Sequence, residues 1–400
     1  MWGLEVEGHK KRILILGAGR QQLPLISAAI DMQLEVHVCS ILGNYPGIKL
    51  APFFHEVDIS EPDAVLEVAK SIGIHGIITT GTDVCLESIG LVVDTLNIPG
   101  TCLESSTSCL NKSLMKVRFS DSDVPTAKYS LVEGIESAHE FFKSCSSACV
   151  IKPVDSSGSR GVNRIETASE IDSAISDAQK YSPSGEILIE EWLEGEEFGA
   201  QAVIIDGKLE MLMLHSDLTT PPPRRVPIGH GCPHPAELEL KPIVWGIVEH
   251  AISALGINNT ISNIDFIFTA EGPKIIEMTC RMGGTRLPEV CGTYWGFDLY
   301  QAALQIALGM KPELQSSPIG VPNAIQNLIF NKSGRVHTLG ETAEGFVWEL
   351  YFQHGEIVTL NAAGQAELGF VQYIDSDIES LLGKVSNAAK TFSTTTIIEE

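Results

Sequence analysis

Residues 263 to 284 read NIDFIFTAEGPKIIEMTCRMGG, and this stretch decides the fold because it has the pattern of a short β-hairpin. The sequence Ala270-Glu271-Gly272 supplies a three-residue connection, with glycine where a positive φ is expected. If Asp265 and Glu277 lie opposite one another, both acids fall on one face and the apolar side chains on the other. These apolar residues are Ile264, Phe266, Phe268, Ile276 and Met278.

The two acids of the hairpin predict a metal site. Oxygen donors held about 5 Å apart suit Mg²⁺, which uses one or two carboxylates and completes its shell with water and phosphate oxygens. Arg281 follows on the second strand and would lie close to any anion that the metal holds. The alternative is an ordinary half-solvated pair of strands that binds nothing.

Length and composition indicate a multidomain globular protein. The chain has 400 residues, more than one hydrophobic core usually organises, so two or three compact units are expected. Its 27 basic and 51 acidic side chains give a net charge of -24, which argues against a nucleic-acid surface. Because the protein as a whole repels anions, an anionic substrate would be bound by local cations, backbone N–H groups or a metal ion.

The cysteine pattern and the start of the chain indicate a cytoplasmic protein. The nine cysteines are scattered without a CxxC pair, as is typical of reduced cytosolic proteins. The opening MWGLEVEGHKKR lacks the pattern of a signal peptide. The chain contains no run of about 18 uncharged apolar residues, so no membrane span is predicted.

Strands and helices alternate over the first part of the chain. The strand RILIL ends in the glycine turn GAGR and is followed by a predicted helix over residues 22 to 33. Further predicted strands are EVHVCS, HEVDIS and GIITT, and EPDAVLEVAKSIG is a further predicted helix. This predicts a Rossmann-like parallel α/β unit of about 110 residues. Ligands bind at the carboxyl ends of such strands. The residues expected there are Gly17, Gly19, Arg20, Gln21, Thr80 and Asp83.

The glycine turn is a weak dinucleotide fingerprint. The third glycine of GxGxxG is replaced by Gln22, and the second strand ends in Ser40 instead of an acid. A tight turn without a ligand is an equal alternative.

A second segment carries a candidate phosphate-binding loop. A strand with Lys152 leads into the small-residue sequence DSSGSRG, residues 155 to 161, and back into strand. Glycine and serine let backbone N–H groups approach phosphate oxygens, and lysine supplies a point charge. The loop is not a Walker A motif, because strand follows it and the GKS or GKT ending is absent. The alternative is a flexible connection with an exposed lysine.

The segment EILIEEWLEGEEF predicts a junction between two strands. At Glu190, Glu191, Trp192 and Leu193 the backbone is suited to reading an adenine edge, with apolar side chains flanking the ring. An exposed turn beside a core tryptophan is the competing interpretation.

The order of these pieces resembles the ATP-grasp superfamily of carboxylate-amine ligases. The α/β unit, NK at 111 and 112, VIKP with its loop, IEEWLEGEEF, and NIDF with IIEMTCRMGG occur in the family's order over residues 12 to 310. The likeness is greatest to the carbamoyl-phosphate-synthase-like and L-amino-acid-ligase-like branch, and LILGAGRQQLP is similar to purine-biosynthetic members. The resemblance implies a mixed α/β fold in four parts: a preATP-grasp domain (1–110), a lid (111–200), an ATP-grasp core (201–310) and a small β-rich C-terminal appendage (311–400).

The resemblance also implies an ATP site. Lys112 and Lys152 would hold the phosphates, while the loop over Ser156, Ser157, Gly158, Ser159 and Gly161 closes over them. Glu191, Trp192 and Leu193 would form the adenine hinge, and Glu197 would contact the ribose.

Metal and catalytic roles follow from the same resemblance. Asp265 and Glu277 would bind Mg²⁺, or Mn²⁺, between the β- and γ-phosphates, and Arg281 would stabilise an acyl phosphate. One residue departs from the family pattern: Thr279 stands where the usual third metal ligand is asparagine. A threonine hydroxyl is shorter and a poorer metal donor, so a second metal ion is expected to be held more loosely.

Substrate identity is expected to depend on residues 215 to 235, HSDLTTPPPRRVPIGHGCPHP. This proline-rich stretch carries Arg224, Arg225 and His230 in an acidic protein, as suits a loop bordering a carboxylate pocket. A solvent loop with incidental charge is the alternative. His215, Gln21 and Asp83 are further substrate candidates.

The sequence leaves three functions open. The first is an ADP-forming ligase that joins a small carboxylate, such as an amino acid, to an amine. The second is a purine-pathway ligase or carboxylase acting on a ribotide, and the third is a non-catalytic nucleotide sensor. The sequence after residue 310 shows no cluster of residues that would suit catalysis or metal binding. We expect this segment to pack on the core and to offer a homodimer surface.

Overall fold

The computed structural model describes residues 5–6, 9–145, 147–220, 226–360 and 365–399 of the chain. They form a mixed α/β protein with a parallel sheet at the front and antiparallel sheets behind it, as the sequence predicts.

The N-terminal unit is the predicted parallel α/β unit. Its four-stranded sheet has the order β5-β4-β3-β6, with all pairs parallel. The two central strands of this sheet are almost entirely buried, as is usual in parallel sheets, whereas the edge strand β5 is partly exposed. The elements are β1 (Glu5–Val6), β2 (His9–Lys10), β3 (Arg12–Leu16), α1 (Leu23–Asp31), β4 (Glu35–Ser40), α2 (Pro46–Leu50), β5 (Phe53–Glu56), α3 (Pro62–Ile72), β6 (Gly76–Ile78), α4 (Leu86–Leu96) and α5 (Leu103–Leu110).

The lid unit is a four-stranded antiparallel sheet, in the order β7-β10-β8-β9, backed by two helices. The small-residue loop connects two adjacent strands of this sheet, so its ends are anchored while its middle reaches over the neighbouring cavity. The elements are α6 (Lys112–Asp121), β7 (Tyr129–Leu131), α7 (Ile135–Ser144), β8 (Cys149–Pro153), β9 (Asn163–Ile165), α8 (Ile171–Gln179) and β10 (Ile187–Glu191).

A long antiparallel sheet forms the centre of the molecule. Alternating buried residues along its strands pack against α9 on one face and against the N-terminal unit on the other. The elements of this part are β11 (Glu196–Ile205), β12 (Lys208–Thr219), β13 (Pro227–Cys232), α9 (Glu237–Leu255), β14 (Thr260–Thr269), β15 (Gly272–Thr279), α10 (Leu287–Trp295) and α11 (Leu299–Ala307).

The C-terminal segment continues the central sheet instead of standing apart from it. Three of its strands extend the order to β15-β14-β11-β12-β13-β16-β20-β18, while β17, β19 and β21 form a small separate sheet. The elements are β16 (Asn323–Phe330), β17 (Gly334–Thr338), β18 (Val347–Leu350), β19 (Ile357–Val358), β20 (Ala366–Ile374), α12 (Ile378–Thr395) and β21 (Ile397–Glu399). The predicted appendage is therefore β-rich, but it shares one sheet with the core. Strand β11 also crosses the boundary that was predicted at residue 200.

The hairpin of residues 263 to 284 is formed by β14 and β15, and Asp265 lies directly opposite Glu277, as predicted. A β-bulge next to Asp265 shifts the register, so that Phe266 faces Ile275. Ile275 is fully buried, whereas the extra residue, Ile276, is partly exposed and lines a cavity. The prediction that Ile276 lies on the apolar face was wrong, because one inserted residue reverses the alternation of side chains.

The turn of this hairpin is tighter than predicted. Pairing continues to Thr269 and Gly272, so residues 270 and 271 alone connect the strands. Gly272 has a φ of 116°, as expected for a glycine at this position.

All nine cysteines are free thiols. None of the helices in the described ranges is both long enough and apolar enough to cross a bilayer.

Candidate active site

The two hairpin acids lie at the floor of a cavity of about 210 Å³ between the lid unit and the central sheet. Asp265 is half-buried, and its removal from water together with the carboxylates of Asp217 and Glu277 raises its pKa to about 7. Asp265 and Glu277 lie opposite one another and offer carboxylate oxygens, which are the ligands that a hard divalent cation prefers.

A row of paired residues crosses the sheet beneath this cavity. In register, His215 on β12 faces Gly199 on β11, which faces Asp265 on β14 and then Glu277 on β15. The imidazole of His215 lies over Gly199, because a Cβ built there would come within 2.2 Å of the ring carbon Cε1. Gly199 therefore makes room for a histidine beside the acids.

Asp217 bridges the two predicted histidines. Its Oδ1 lies 3.0 Å from Nδ1 of His215 and 2.5 Å from Nδ1 of His230, and Nε2 of His230 contacts the Thr285 hydroxyl. Burial would lower the pKa of His215, but Asp217 and Asp265 raise it above its usual value. Burial dominates at His230 and lowers the pKa of that ring. The sequence reasoning missed Asp217, although its spacing of two residues from His215 on a strand was a usable signal.

Two buried lysines share one carboxylate on the lid side of the cavity. Lys152 Nζ lies 2.9 Å and Lys116 Nζ 3.3 Å from the same oxygen of Glu190. Burial would raise the pKa of Glu190, but the two ammonium groups hold it below its usual value. Burial lowers the pKa of Lys116 to about 8. Lys116 was also missed, because a lysine in a polar helix is ordinarily expected to face solvent.

Lys112 connects the lid to the hairpin. It starts α6, is buried, and donates to the carbonyl oxygen of Ser156 at 2.8 Å and to Glu277 Oε1 at 3.2 Å. Asn111 caps the same helix by accepting from the backbone N–H groups of Ser113 and Leu114, and so fixes where the helix begins.

The lid loop, residues 155 to 161, borders the cavity. Ser156, Ser157, Gly158 and Ser159 line it, whereas Gly161 packs against Ala178 and Tyr181. Asp155 anchors the start of the loop, accepting from the Ser182 hydroxyl at 2.7 Å and the Ser184 backbone N–H at 2.8 Å. In the middle of the loop Gly158 and Ser159 have positive φ, and a Cβ added to Gly158 would have no atom within 4 Å.

The predicted adenine hinge and Glu197 line the same cavity. Glu191, Trp192 and Leu193 follow each other along its wall. The Trp192 backbone N–H donates to the Ala148 carbonyl at 2.9 Å and is therefore not directed at a nucleotide. Arg164 lies over the Trp192 ring at 4.4 Å, so the indole is a packed wall of the cavity.

Arg281 is held by the N-terminal unit. Its Nη2 donates to Asp83 Oδ2 at 2.7 Å, and the Thr279 hydroxyl donates to Asp83 Oδ1 at 2.9 Å. Burial would raise the pKa of Asp83, but Arg281, Thr279 and Lys112 keep it below its usual value. The Arg281 Nε–H is buried and has no acceptor among the residues that the structure describes, and Arg281 borders a separate small cavity between the N-terminal unit and the hairpin.

The glycine turn after β3 is filled by its own chain. Gln22 Oε1 accepts from the Gly19 backbone N–H at 2.9 Å, and its side chain lies against Gly17. A backbone donor that a dinucleotide phosphate would use is therefore already occupied. Gln21 instead lies between Gly81 and Gly284, where an added Cβ would collide with its amide.

The structure thus brings most predicted site residues to one region. Asp83, Lys112, Ser156 and Glu277 line a second cavity of about 430 Å³ that adjoins the first. His215 lies two strands away from Asp265 in the row of paired residues, and His230 contacts Asp217. Gln21 borders a separate small cleft. Arg224 and Arg225 lie outside the described residues.

Comparisons with known proteins agree with this architecture. Residues 110–219 match the family model described as phosphoribosylglycinamide synthetase, ATP-grasp (A) domain. A phosphoribosylamine–glycine ligase of Lactococcus lactis is 28% identical over 344 residues, which is 78% of each chain. The chain spans 59% and 50% of the length of two other curated relatives that it matches.

Solved structures show the same fold. Phosphoribosylglycinamide synthetase from Anaerococcus prevotii superposes with a TM-score of 0.79 at 24% identity, over 97% of this chain and 100% of that one. The L-amino acid ligase from Bacillus licheniformis gives a TM-score of 0.78 at 18% identity, over 98% and 99% of the two chains. The fold is that of the ATP-grasp proteins.

Proposed function

We propose that this chain, which has the ATP-grasp fold, is an ATP-dependent, ADP-forming ligase that joins a small-molecule carboxylate to an amine. The observation that carries the proposal is the position of the Lys112 ammonium. It donates to the carboxylate of Glu277 at 3.2 Å and to the lid-loop carbonyl of Ser156 at 2.8 Å. The Lys112 ammonium therefore links the lid loop to Glu277, one of the two carboxylates proposed to bind the metal ion.

The cavity between the lid and the central sheet is the proposed ATP site. Lys112 and Lys152 would neutralise the phosphates from two sides, and the lid loop would add backbone N–H groups above them. The wall formed by Glu191, Trp192 and Leu193 would receive the adenine ring, with Glu197 at the ribose. The volume of about 210 Å³ and the packed tryptophan wall support a planar apolar ligand at that end.

A divalent cation fits the residues present. Asp265 and Glu277 face each other, and burial together with the carboxylates of Asp217 and Glu277 raises the pKa of Asp265. These two acids would hold Mg²⁺ or Mn²⁺. When bound, the cation neutralises charge on the transferring phosphoryl group of ATP.

The chemistry that this arrangement supports is activation of a carboxylate. The γ-phosphoryl group passes from ATP to a carboxylate oxygen, ADP leaves, and an acyl phosphate forms. An amine nitrogen then bonds to the acyl carbon, phosphate departs, and the nitrogen loses one proton to solvent. Arg281, with its unpaired Nε–H, would hold the acyl phosphate while the closed lid loop excludes water. No nucleophilic side chain is needed, because positioning and charge neutralisation supply the catalysis.

We favour an amino acid among the substrates. A ribotide would need free cations for its phosphate, and the separate small cleft does contain Arg20 and Arg286. Arg20 lies over the Tyr351 ring at 4.2 Å, and Arg286 lies over Phe370 at 4.1 Å and pairs with Glu289. The Arg286 guanidinium is thus paired within the protein, whereas Arg20 is stacked on an aromatic ring through its face.

The ribotide ligase remains the second candidate, because the family model and the Lactococcus relative carry the names of phosphoribosyl enzymes. ADP release measured with ATP, Mg²⁺ and a panel of amino acids separates the candidates. Turnover with paired amino acids, with the product identified by mass spectrometry, is the expected result. Turnover that depends on phosphoribosylamine would favour the second candidate. Tight ATP binding with no turnover on any substrate would contradict both and favour a sensor.

A further inference from the structure

Three potential metal ligands converge where β12 meets β13. His215 and Asp217 stand two residues apart on β12, so their side chains leave the same face of the strand. Asp217 is paired directly with His230 on β13, which brings a second imidazole to the same carboxylate. One ligand atom from each of these three side chains lies within 4.8 Å of the other two. Among the residues that the structure describes, no other three histidine, cysteine, aspartate or glutamate side chains converge in this way.

Both imidazoles contact one carboxylate oxygen. Asp217 Oδ1 lies 3.0 Å from Nδ1 of His215 and 2.5 Å from Nδ1 of His230. A tetrahedral ion with bonds of about 2.0–2.2 Å separates its ligand atoms by about 3.4 Å, so the three side chains would admit the ion by moving apart by less than about 1 Å. The ion would replace the two hydrogen bonds, because each Nδ1 would then direct its lone pair at the metal.

Neighbouring residues hold both rings in place. The His215 ring lies over Gly199, where an added Cβ would come within 2.2 Å of it. The two imidazoles pack edge to face, with ring centroids 5.5 Å apart and an interplanar angle of 83°. Nε2 of His230 contacts the Thr285 hydroxyl at 2.5 Å. Metal-binding histidines are commonly oriented in this way, by a hydrogen bond at the ring nitrogen that does not bind the metal.

The cluster is closed on the side of the histidines and reaches the proposed ATP cavity at Asp217. His215 is 1% and His230 2% exposed, whereas Asp217 lines the cavity of about 210 Å³. Nε2 of His215 is buried and has no hydrogen-bond partner in the described part of the chain. Hydrogen bonds within the protein therefore leave a polar atom of this cluster unsatisfied, which is uncommon for a buried group.

The donor set distinguishes the cluster from the two hairpin acids. Two imidazole nitrogens and one carboxylate oxygen suit Zn²⁺ and chemically similar ions such as Co²⁺. Asp265 and Glu277 offer oxygen alone, which suits Mg²⁺. Three protein ligands leave a fourth position, which water or substrate takes in zinc sites of this composition.

We propose that His215, Asp217 and His230 bind one transition-metal ion of the Zn²⁺ class, with a fourth position open to the cavity. The site is separate from the proposed Mg²⁺ site of Asp265 and Glu277, and the inference does not depend on the proposed ligase function. It places a second kind of cation beside the nucleotide cavity, where the open position would accept an oxygen of an anionic ligand.

The test is Co²⁺ binding to the full chain after its metal has been removed with a chelator. Excess Mg²⁺ is present, so that the oxygen site is filled. We expect one Co²⁺ per chain, with the strong visible absorption of a four-coordinate ion, and its displacement by Zn²⁺. The absence of such absorption in the wild type would overturn the proposal without the use of any variant.

Inorganic phosphate tests the fourth position. Phosphate that reaches this position from the cavity should shift the Co²⁺ absorption bands of the wild type. Bands that phosphate at saturating concentration leaves unchanged would overturn the open position.

Variants of the cluster identify the ligands. His230→Ala should weaken Co²⁺ binding by about 100-fold or more. Thr285→Ala should weaken it by about 10-fold or more, because a partner that orients a ligand typically contributes 10- to 100-fold in affinity, whereas Thr285→Ser keeps the hydroxyl and should bind as the wild type does. His250→Ala, which removes an exposed histidine of α9, is the matched control and should also bind normally. Equal affinities in His230→Ala and His250→Ala would overturn the proposal, since the ion would then bind elsewhere.

Two further variants keep the outcome decisive. If circular dichroism shows that His230→Ala does not fold, Asp217→Asn keeps the shape of the side chain and should still weaken Co²⁺ binding, and wild-type affinity there overturns the proposal. Asp265→Asn should retain the Co²⁺ absorption while losing Mg²⁺-dependent ADP release. Loss of the absorption in Asp265→Asn would overturn the separate site, whereas a wild-type protein that binds Co²⁺ but turns over no substrate would reject the proposed function alone.

Discussion

Lys152 and Glu190 form an ion pair of 2.9 Å on neighbouring strands of the lid unit, and both side chains are less than one tenth exposed. Lys116 contacts the same carboxylate oxygen at 3.3 Å. One buried carboxylate therefore compensates two buried ammonium groups. Removing it would leave two charges without a counterion in a medium of low polarity.

Glu190→Gln should lower the free energy of unfolding by about 3 kcal/mol, the cost of breaking a buried ion pair from one side. Urea unfolding measures it. Glu67→Gln is the control, because its pair with Lys70 is equally short, at 2.9 Å, but exposed. That variant should change stability by less than about 1 kcal/mol. Equal losses in both variants would contradict the argument from burial.

Glu277→Gln should reduce Mg²⁺-dependent ADP release by about 100-fold or more, the size of effect seen when a charge-stabilising group is removed. The fold should be retained, since the side chains are isosteric. Glu271→Gln, at the exposed tip of the same hairpin, should leave turnover unchanged. An active Glu277→Gln enzyme would refute the assignment of this acid to the cation.

Lys152→Ala should raise the Kd for ATP by about 10- to 100-fold, because a charged hydrogen bond to phosphate contributes about 1.5–3 kcal/mol. Isothermal titration calorimetry measures the change. Lys70→Ala removes an exposed lysine far from the cavity and should bind ATP as the wild type does. Unchanged ATP affinity in Lys152→Ala would argue against the lid cavity as the nucleotide site.

The metal-free protein should lose part of its stability as the pH rises. Burial, Asp217 and Glu277 raise the pKa of Asp265 to about 7, against about 4 in an unfolded chain. The folded chain keeps a proton that the unfolded chain has released, so this contribution is complete below about pH 4 and is lost as the pH rises through about 7.

Asp265→Asn should remove this dependence. The stability of the wild type relative to the variant, measured by urea unfolding with a chelator, should therefore fall between about pH 4 and about pH 7. A relative stability that does not change over this range would show that Asp265 titrates normally. In the wild type, added Mg²⁺ should release protons below about pH 7, because the cation requires the ionised carboxylate.

Gly199→Ala should displace the His215 imidazole, because the new Cβ would come within 2.2 Å of its ring. We expect a loss of about 1–3 kcal/mol in unfolding free energy and a parallel loss of turnover. Gly246→Ala is the control: it lies in α9 with no atom within 4 Å of the added Cβ, and should stabilise the helix by about 0.5–1 kcal/mol. A stable and fully active Gly199→Ala protein would contradict the conclusion that Gly199 makes room for the His215 ring.

The sequence was sufficient wherever the signal was local. Alternation along residues 263 to 279 predicted that Asp265 faces Glu277, and the strand and helix pattern predicted the parallel N-terminal unit. The bulge beside Asp265 left no local signal, because Ile275 and Ile276 are equally apolar. Which of the two turns inward is decided by packing against the central sheet.

The sequence was insufficient wherever the meaning of a residue depends on a distant partner. Asp217 matters because His230 lies opposite it on the neighbouring strand, and Lys116 in α6 matters because Glu190 of β10 contacts it. The joining of β16 to β13 is likewise non-local, so a β-rich segment could be predicted but its sheet could not. Loop-closure entropy and tertiary packing, not local propensity, select such pairings.

The eight-stranded sheet gives the C-terminal segment a protective role. β13 is covered along its length by β16, and β20 and β18 continue the sheet outward. A chain truncated at the boundary predicted near residue 311 would present the bare edge of β13, with its unpaired N–H and C=O groups, to other molecules. Such an edge is a template for aggregation. The last part of the chain therefore keeps the edge of the sheet that carries the proposed nucleotide cavity paired, and we expect its removal to promote aggregation.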